Sequence, residues 1–232
     1  MAVVEMKNVV KNYKIGKIEV PAVRGMTFAV DKGEFVVIAG PSGSGKTTLL
    51  NLFGCLDKPT SGTVFIEEHD IIKLSPDELA DVRNSHIGFI FQTFNLIPVL
   101  TAFENVEFPL ILLKEKDPKE RKEKVMKILE EVKIADLANR RPTEMSGGQQ
   151  QRVAIARALV KGPDYVLADE PTANLDTKTG HEILDQMYEM NKKKGTTFIF
   201  STHDPLVMQH AKRIIRIRDG KIESDERTKV AH

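Results

Sequence analysis

A glycine-rich stretch that ends in lysine and threonine has the clearest chemical meaning in this sequence. It occupies residues 40–47 and reads Gly-Pro-Ser-Gly-Ser-Gly-Lys-Thr, which satisfies the phosphate-loop spacing G-x-x-x-x-G-K-[ST]. Residues 35–39 form an apolar run that predicts a buried strand, and residues 47–53 predict the start of a helix. Such a loop wraps closely around an anion and points its N–H groups at phosphates. The alternative is an ordinary glycine-rich turn.

The residue types in this loop predict separate tasks. Lys46 is predicted to reach the β- and γ-phosphates of a nucleotide, and the Thr47 hydroxyl is predicted to hold Mg²⁺. The residues of this segment that we expect to bind the nucleotide are Gly40, Pro41, Ser42, Gly43, Ser44, Gly45, Lys46, Thr47 and Thr48.

Two carboxylates follow a second apolar strand. Residues 165–168 predict a strand, and Asp169 and Glu170 come directly after it. Because ligands collect at the carboxyl ends of parallel strands, both motifs are expected at the same sheet edge. Asp169 is then placed to hold Mg²⁺ through water, and Glu170 to orient and deprotonate an attacking water. The alternative is that the pair only caps a helix or forms a turn.

A second helix N-terminus carries small, hydrogen-bonding residues. Ser146, Gly147, Gly148 and Gln149 precede a helical pattern over residues 150–161, and this predicts a second anion site about 100 residues after the first. One nucleotide held by the loop of one copy and by this site of another predicts a head-to-tail dimer with two nucleotides. An ordinary capped helix is the alternative.

Composition narrows the class of protein. The 232 residues fit one large domain, or a domain with a substantial subdomain. Net charge is +1, from 34 basic and 33 acidic residues, so no global field favours nucleic acid. Cys55 is the single cysteine and is expected in the core. We expect no signal peptide and no membrane span, so another chain must supply any membrane segment.

Strand and helix patterns alternate as in a parallel sheet covered by helices. A helix with an apolar face is predicted over residues 119–133, inside a mainly helical segment at 93–162. Residues 223–232 are predicted to be a polar tail. The predicted strands are 3–10, 26–30, 35–39, 63–67, 87–91, 165–168, 196–201 and 213–217.

Taken together, these motifs resemble the ATP-binding subunit of an ABC (ATP-binding cassette) transporter over about residues 3–222. The resemblance implies that Tyr13 stacks on adenine, that Gln92 touches Mg²⁺ and the attacking water, and that His203 contacts the γ-phosphate. It identifies residues 146–149 as the family signature and residues 174–176 as the D-loop, which ends at Asp176. The family motifs differ slightly at Met145, where leucine is usual, and at Asn174, where smaller residues are common.

The resemblance also implies a fold and a set of roles. The expected fold is α/β, with a P-loop NTPase (RecA-like) core at 1–92 and 163–222, an antiparallel β subdomain and a helical subdomain at 93–162. ATP and Mg²⁺ are the implied cofactors. The implied catalytic residues are Glu170, His203, Lys46 and Gln92, the metal-binding residues are Thr47, Gln92 and Asp169, and the nucleotide contacts outside the phosphate loop are Tyr13, Ser146, Gly147, Gly148, Gln149 and Asp176.

The implied assembly is a homodimer in the ATP-bound state, attached to a separate transmembrane permease subunit at the cytoplasmic side of the cell membrane. Residues 51–62 and 91–101 resemble the lipoprotein-releasing and macrolide-exporter group. A cell-division ATPase, a soluble non-transport ABC ATPase and a module that binds ATP without hydrolysing it are the alternatives. A GTPase is disfavoured because the sequence has no Asn-Lys-x-Asp motif.

Overall fold

Two β-sheets with different strand directions organise the computed structural model, which describes residues 1–227. The strands are β1 (Ala2–Ile15), β2 (Ile18–Asp31), β3 (Phe35–Ala39), β4 (Ser61–Ile66), β5 (His69–Asp70), β6 (Ile87–Ile90), β7 (Tyr165–Asp169), β8 (Thr197–Thr202), β9 (Arg213–Arg218) and β10 (Lys221–Arg227). The helices are α1 (Lys46–Phe53), α2 (Pro76–His86), α3 (Ala102–Leu112), α4 (Pro118–Glu131), α5 (Gly147–Leu159), α6 (Thr177–Lys194) and α7 (Pro205–His210).

The six-stranded sheet has the order β10-β9-β3-β8-β7-β6, and all neighbours except β10 and β9 run parallel. Strands β3 and β8 are buried along their whole length, which explains the apolar runs at residues 35–39 and 198–200. The parallel strands end at one edge, where the phosphate loop follows β3 and Glu170 follows β7. The fold class predicted from the sequence is therefore confirmed as an α/β P-loop fold with an antiparallel β region.

The four-stranded sheet has the order β2-β1-β4-β5 and contains a hairpin that is longer than predicted. β1 and β2 pair antiparallel from Ala2 with Asp31 to Ile15 with Ile18, whereas the sequence predicted strands only at 3–10 and 26–30. The outer part of the hairpin is largely exposed, so it lacks the alternation that marks a strand with one buried face. Tyr13 consequently lies in a strand and pairs with Val20.

Helices α3, α4 and α5 fill the segment between β6 and β7. The apolar positions Val125, Ile128 and Leu129 of α4 are buried, as their helical spacing predicted. Capping boxes start α3 at Thr101 and α5 at Ser146. The helices lie within the predicted segment, and its limits at residues 93 and 162 stay predictions. Within residues 1–227, no helix is long and apolar enough to cross a bilayer.

Residues 223–227 of the predicted polar tail belong to β10, which continues through Arg227 and pairs with β9. Its residues are polar and mostly exposed, so no apolar pattern marks the strand. The Arg213 guanidinium on β9 donates two hydrogen bonds of 2.7 Å to Asp225, and further bonds to Glu34 (2.9 Å) and the Ala29 carbonyl (2.8 Å). These bonds join the two sheets. The rest of the predicted tail, 228–232, lies outside the described residues.

Replacing Arg213 by alanine is expected to destabilise the fold by about 3 kcal/mol, because the Asp225 carboxylate loses both of its guanidinium hydrogen bonds and Glu34 keeps only Arg227 as a cationic partner. Arg218→Ala on the same strand removes a guanidinium that is 64% exposed and is expected to cost less than about 0.5 kcal/mol. Urea unfolding measures both free energies. Equal destabilisation by the two variants would contradict the role given to Arg213.

Candidate active site

A cleft of about 530 Å³ opens at the carboxyl edge of the parallel sheet. The antiparallel hairpin contributes two of its lining residues, the phosphate loop and α1 contribute the largest group, and the ends of β6, β7 and β8 supply the rest. The lining residues are Tyr13, Ala22, Pro41, Ser42, Gly43, Gly45, Lys46, Thr47, Thr48, Gln92, Asp169, Glu170, Ser201 and His203.

Backbone geometry explains the glycines of the phosphate loop. A Cβ atom on Gly40 would lie 2.3 Å from the Ile217 carbonyl oxygen, and one on Gly45 would lie 2.6 Å from the Ala22 oxygen. Gly45 also has a φ of 106°, outside the range that side chains favour. No side chain among residues 1–227 caps α1, so the N–H groups of its first turn are available to a phosphate.

The Lys46 ammonium lies inside the curve of this loop. Its Nζ donates hydrogen bonds to the carbonyl oxygens of Gly40 (2.6 Å) and Pro41 (3.0 Å). Gly40 and Ser44 do not line the cleft, and the Ser44 side chain is buried behind the loop. The Lys46 ammonium therefore lies against the phosphate loop and lines the cleft, where its positive charge favours a polyphosphate.

Asp169 ends β7 and stands in a partly dehydrated position. Burial raises the pKa of its carboxyl group, and the adjacent Glu170 carboxylate raises it further. A cation beside Asp169 would offset the free-energy cost of holding its carboxylate in the charged form. Thr47 and Gln92 line the same cleft, so a hydroxyl, an amide oxygen and a carboxylate are available, and such oxygen donors suit Mg²⁺.

Glu170 is held in a strained backbone conformation and points its carboxylate at two neighbours. Its φ is 44°, and its N–H donates to the Ser201 carbonyl at 2.9 Å. One carboxylate oxygen accepts a hydrogen bond of 2.7 Å from the Thr202 hydroxyl, and the other lies 2.6 Å from Nδ1 of His203. The two predicted catalytic side chains therefore contact each other, and β8 orients both.

Two contacts that the sequence did not predict hold the segment after Gln92. The Asn174 amide donates a hydrogen bond of 2.8 Å to the Gln92 carbonyl. Arg157, on α5, donates bonds of 2.7 Å and 2.5 Å to the carbonyls of Phe94 and Asn95, both of which have positive φ. A guanidinium within the otherwise apolar run at residues 153–159 of α5 is the signal that could have indicated such a role.

Arg157→Ala is expected to lower the maximal rate of ATP hydrolysis about tenfold while the KM for ATP changes less than twofold. The substitution removes the hydrogen bonds to Phe94 and Asn95, so the segment that follows Gln92 becomes more mobile. Small misplacements of reacting groups reduce rates strongly. Steady-state ATPase assays measure both parameters. Arg140→Ala, which removes an exposed guanidinium, is the control. A rise in KM with an unchanged rate would contradict a positioning role.

The remaining predicted site residues lie outside the cleft, at the N-termini of α5 and α6. The Ser146 hydroxyl accepts a hydrogen bond from the Gln149 N–H (3.4 Å), and Asp176 accepts one from the Thr179 N–H (3.0 Å). The two helix ends are close neighbours, since a Cβ atom on Gly148 would lie 2.4 Å from Thr179 Cγ2. Residues 146–149 and Asp176, here called the signature group, are therefore not joined to the cleft within one chain.

A phosphate loop after one parallel strand, two carboxylates after another and a histidine after a third define a P-loop nucleoside triphosphatase. The chain belongs to the ABC transporter family, whose model matches residues 23–173. It is an ATP-binding subunit of that family and an ATPase.

Relatives cover nearly all of the chain. It is 50% identical to the ABC transporter ATP-binding protein YvrO of Bacillus subtilis, over 98% of both proteins. It is 46% identical to the macrolide export ATP-binding/permease protein MacB of Syntrophobacter fumaroxidans, and spans 32% of that longer protein. The fold matches a dimeric post-hydrolysis structure of the cassette MJ0796 bound to ADP and Pi, with a TM-score of 0.89, 46% identity and coverage of 97% and 99%.

Proposed function

We propose that this chain hydrolyses Mg²⁺-bound ATP in the cleft and uses the cycle to drive a separate membrane subunit. The observation that carries this proposal is the convergence of Lys46, Glu170 and His203 on one cleft. Each is a residue type that phosphoryl transfer to water requires: a cation for the phosphates, a base for the water, and a further donor at the γ-phosphate.

Substrate binding divides between the two sheets. The loop N–H groups and Lys46 bind the β- and γ-phosphates, and the Tyr13 ring stacks on adenine. Thr47, Gln92 and Asp169 hold Mg²⁺, which when bound neutralises charge on the phosphate oxygens. The raised pKa of Asp169 supports this assignment, because a carboxylate that is costly to charge gains most from a metal partner.

Glu170 activates the attacking water. A carboxylate has about four acceptor positions, so Glu170 can accept a proton from water while it keeps its bonds to Thr202 and His203. The contact with Glu170 occupies Nδ1 of His203, so Nε2 is the ring nitrogen that faces the γ-phosphate, and it donates there in the imidazolium form, in which both ring nitrogens carry a proton. The exposed imidazole, 76% accessible, is open to the substrate.

The signature group of a second copy completes each site. Ser146, Gly147, Gly148 and Gln149 present a helix N-terminus, which favours a phosphate, and Asp176 lies beside it. Two copies arranged head to tail then enclose two ATP molecules. The dimeric MJ0796 cassette described above supports this arrangement. In the proposed cycle, hydrolysis of ATP lets the two copies separate.

The membrane partner docks beside the segment that follows Gln92. Residues 94–100 form part of this surface, and Phe108, Ile111 and Leu112 of α3 expose further apolar area (40%, 49% and 48% accessible). A permease subunit on this surface places the chain at the cytoplasmic side of the cell membrane. The MacB relatives, whose names combine ATP-binding and permease functions, favour macrolide export. The resemblance of residues 51–62 and 91–101 to the lipoprotein-releasing and macrolide-exporter group adds lipoprotein release and peptide export as candidates.

Capture from native membranes tests the partner. The Glu170→Gln variant is loaded with ATP and purified from detergent-solubilised membranes of the cell that produces it. The proteins bound to it are then identified by mass spectrometry. A permease with a few spans and a large extracytoplasmic domain is expected, and Lys46→Ala chain is the control. Recovery of cell-division proteins would favour the cell-division alternative, and soluble DNA-repair or ribosomal proteins would remove the transport assignment.

A further inference from the structure

Asp57 makes a contact that none of the site assignments uses. It lies after α1, the helix that continues the phosphate loop, and its carboxylate accepts a hydrogen bond of 3.0 Å from the Tyr13 hydroxyl. Tyr13 belongs to the antiparallel hairpin, 44 residues earlier in the chain. The bond thus joins the side chain proposed to stack on the base to the element that carries the phosphate loop.

Lys11 completes the connection. Its Nζ donates hydrogen bonds of 2.5 Å to the other Asp57 oxygen and 2.8 Å to the Lys58 carbonyl. The same ammonium lies 5.0 Å from the centre of the Tyr13 ring. Its side chain is only 12% accessible, so little water competes with these contacts. Lys11 and Asp57 together leave the ring little freedom to change rotamer.

The ion pair is a stable partner for the tyrosine hydroxyl. Burial alone would raise the pKa of Asp57, yet the hydrogen bonds from Lys11, the Lys58 N–H and Tyr13 hold it below its ordinary value. The carboxylate therefore stays charged at neutral pH and accepts from Tyr13 continuously. The segment around it is also fixed, since the Asp57 N–H donates to the Asn51 carbonyl of α1 at 3.3 Å.

We propose that Asp57 is a positioning residue for the nucleotide base, which with Lys11 fixes the Tyr13 ring relative to the phosphate loop. The inference rests on the proposed stacking of Tyr13 on adenine. Tyr13 and residues 41–43 and 45–48 line the same cleft. Tyr13 belongs to the four-stranded sheet, whereas the phosphate loop follows β3 of the six-stranded sheet, and Asp57 supplies a direct link between them. A ring that is already oriented loses less rotational freedom when the base binds.

Binding of ADP compared with inorganic pyrophosphate tests this link, because only ADP carries a base. Calorimetric titration gives the ADP affinity, and competition with ADP gives the pyrophosphate affinity. Asp57→Ala and Tyr13→Phe are each expected to weaken ADP binding about fivefold and to change pyrophosphate binding less than twofold. The two changes combined are expected to have no larger effect than Asp57→Ala alone, because Asp57→Ala already removes the bond that Tyr13→Phe removes.

Three further variants make the outcomes distinct. Tyr13→Ala is expected to weaken ADP binding about tenfold or more through lost stacking. Glu19→Ala, which removes an exposed carboxylate from the same hairpin, should leave both affinities unchanged. Asp57→Asn keeps an acceptor for the tyrosine but removes the charge that Lys11 contacts, and should fall between wild type and Asp57→Ala.

Separate results overturn separate statements. If Tyr13→Ala leaves ADP binding unchanged, the stacking role in the proposed function is wrong. If Tyr13→Ala weakens ADP binding while Tyr13→Phe does not, the positioning role of Asp57 is wrong although stacking stands. If Asp57→Ala weakens the binding of pyrophosphate and of ADP equally, the inference is also wrong, since the substitution would then have altered the phosphate loop. Tyr13→Phe decides the question even if Asp57→Ala does not fold.

Discussion

Glu170→Gln is expected to lower ATP turnover about 10³-fold while ATP still binds. Glutamine has nearly the same shape and its amide oxygen can still accept from Thr202, but it cannot take a proton from water. The phosphate contacts of Lys46 and the loop are unchanged. Trapped ATP should therefore hold two copies together, and light scattering at saturating ATP should give about twice the monomer mass of 26.0 kDa.

Glu68→Gln makes the same chemical change at an exposed position and should hydrolyse ATP at the wild-type rate. Turnover by Glu170→Gln within a factor of ten of wild type would contradict a general-base role. A variant that binds ATP but remains monomeric would instead count against sites shared between two copies. The two measurements therefore test the chemistry and the assembly separately.

Lys46→Ala is expected to weaken ATP binding by about 100-fold and to reduce hydrolysis below detection. The variant loses the only side-chain cation that lines the cleft within residues 1–227 apart from a protonated His203, and charge-assisted hydrogen bonds to phosphate are among the strongest in proteins. It also loses the bonds to the Gly40 and Pro41 carbonyls that shape the loop. Calorimetric titration with ATP and a steady-state assay measure the two effects.

Lys17→Ala removes an exposed lysine from the turn between β1 and β2 and is the matched control. A melting temperature for Lys46→Ala close to that of wild type would show that the loss of binding is local. Unchanged ATPase activity in Lys46→Ala would mean that residues 40–47 are not the phosphate loop.

The features that the sequence predicted best are those formed by residues close together in the chain. The phosphate-loop motif is contiguous in sequence, and Lys46 folds back to donate to the carbonyls of Gly40 and Pro41 in its own loop. The apolar spacing of α4 likewise reports the buried face of a single helix. Such features are readable because neighbours in sequence are also neighbours in space.

Strands with polar surfaces were less predictable. β10 is a strand because Arg213 and the backbone of β9 pair with it, and its own residues show no buried face. The outer half of the β1–β2 hairpin likewise has no buried face and is a pair of strands because its two halves pair with each other. In both places hydrogen bonds between strands decide the structure, and a single sequence contains no record of which strand lies alongside.

The sequence by itself determined which residues could do chemistry and the order in which they occur, since the phosphate loop, the paired carboxylates and His203 are local motifs. Only the tertiary structure decided how those groups are held. It brought Glu170 against His203 across 33 residues, Arg157 against Phe94 across 63, and Tyr13 against Asp57 across 44. The first contact joins the ends of two neighbouring strands, the second joins α5 to the segment after β6, and the third joins the antiparallel hairpin to the segment after α1. No spacing along the chain predicts them.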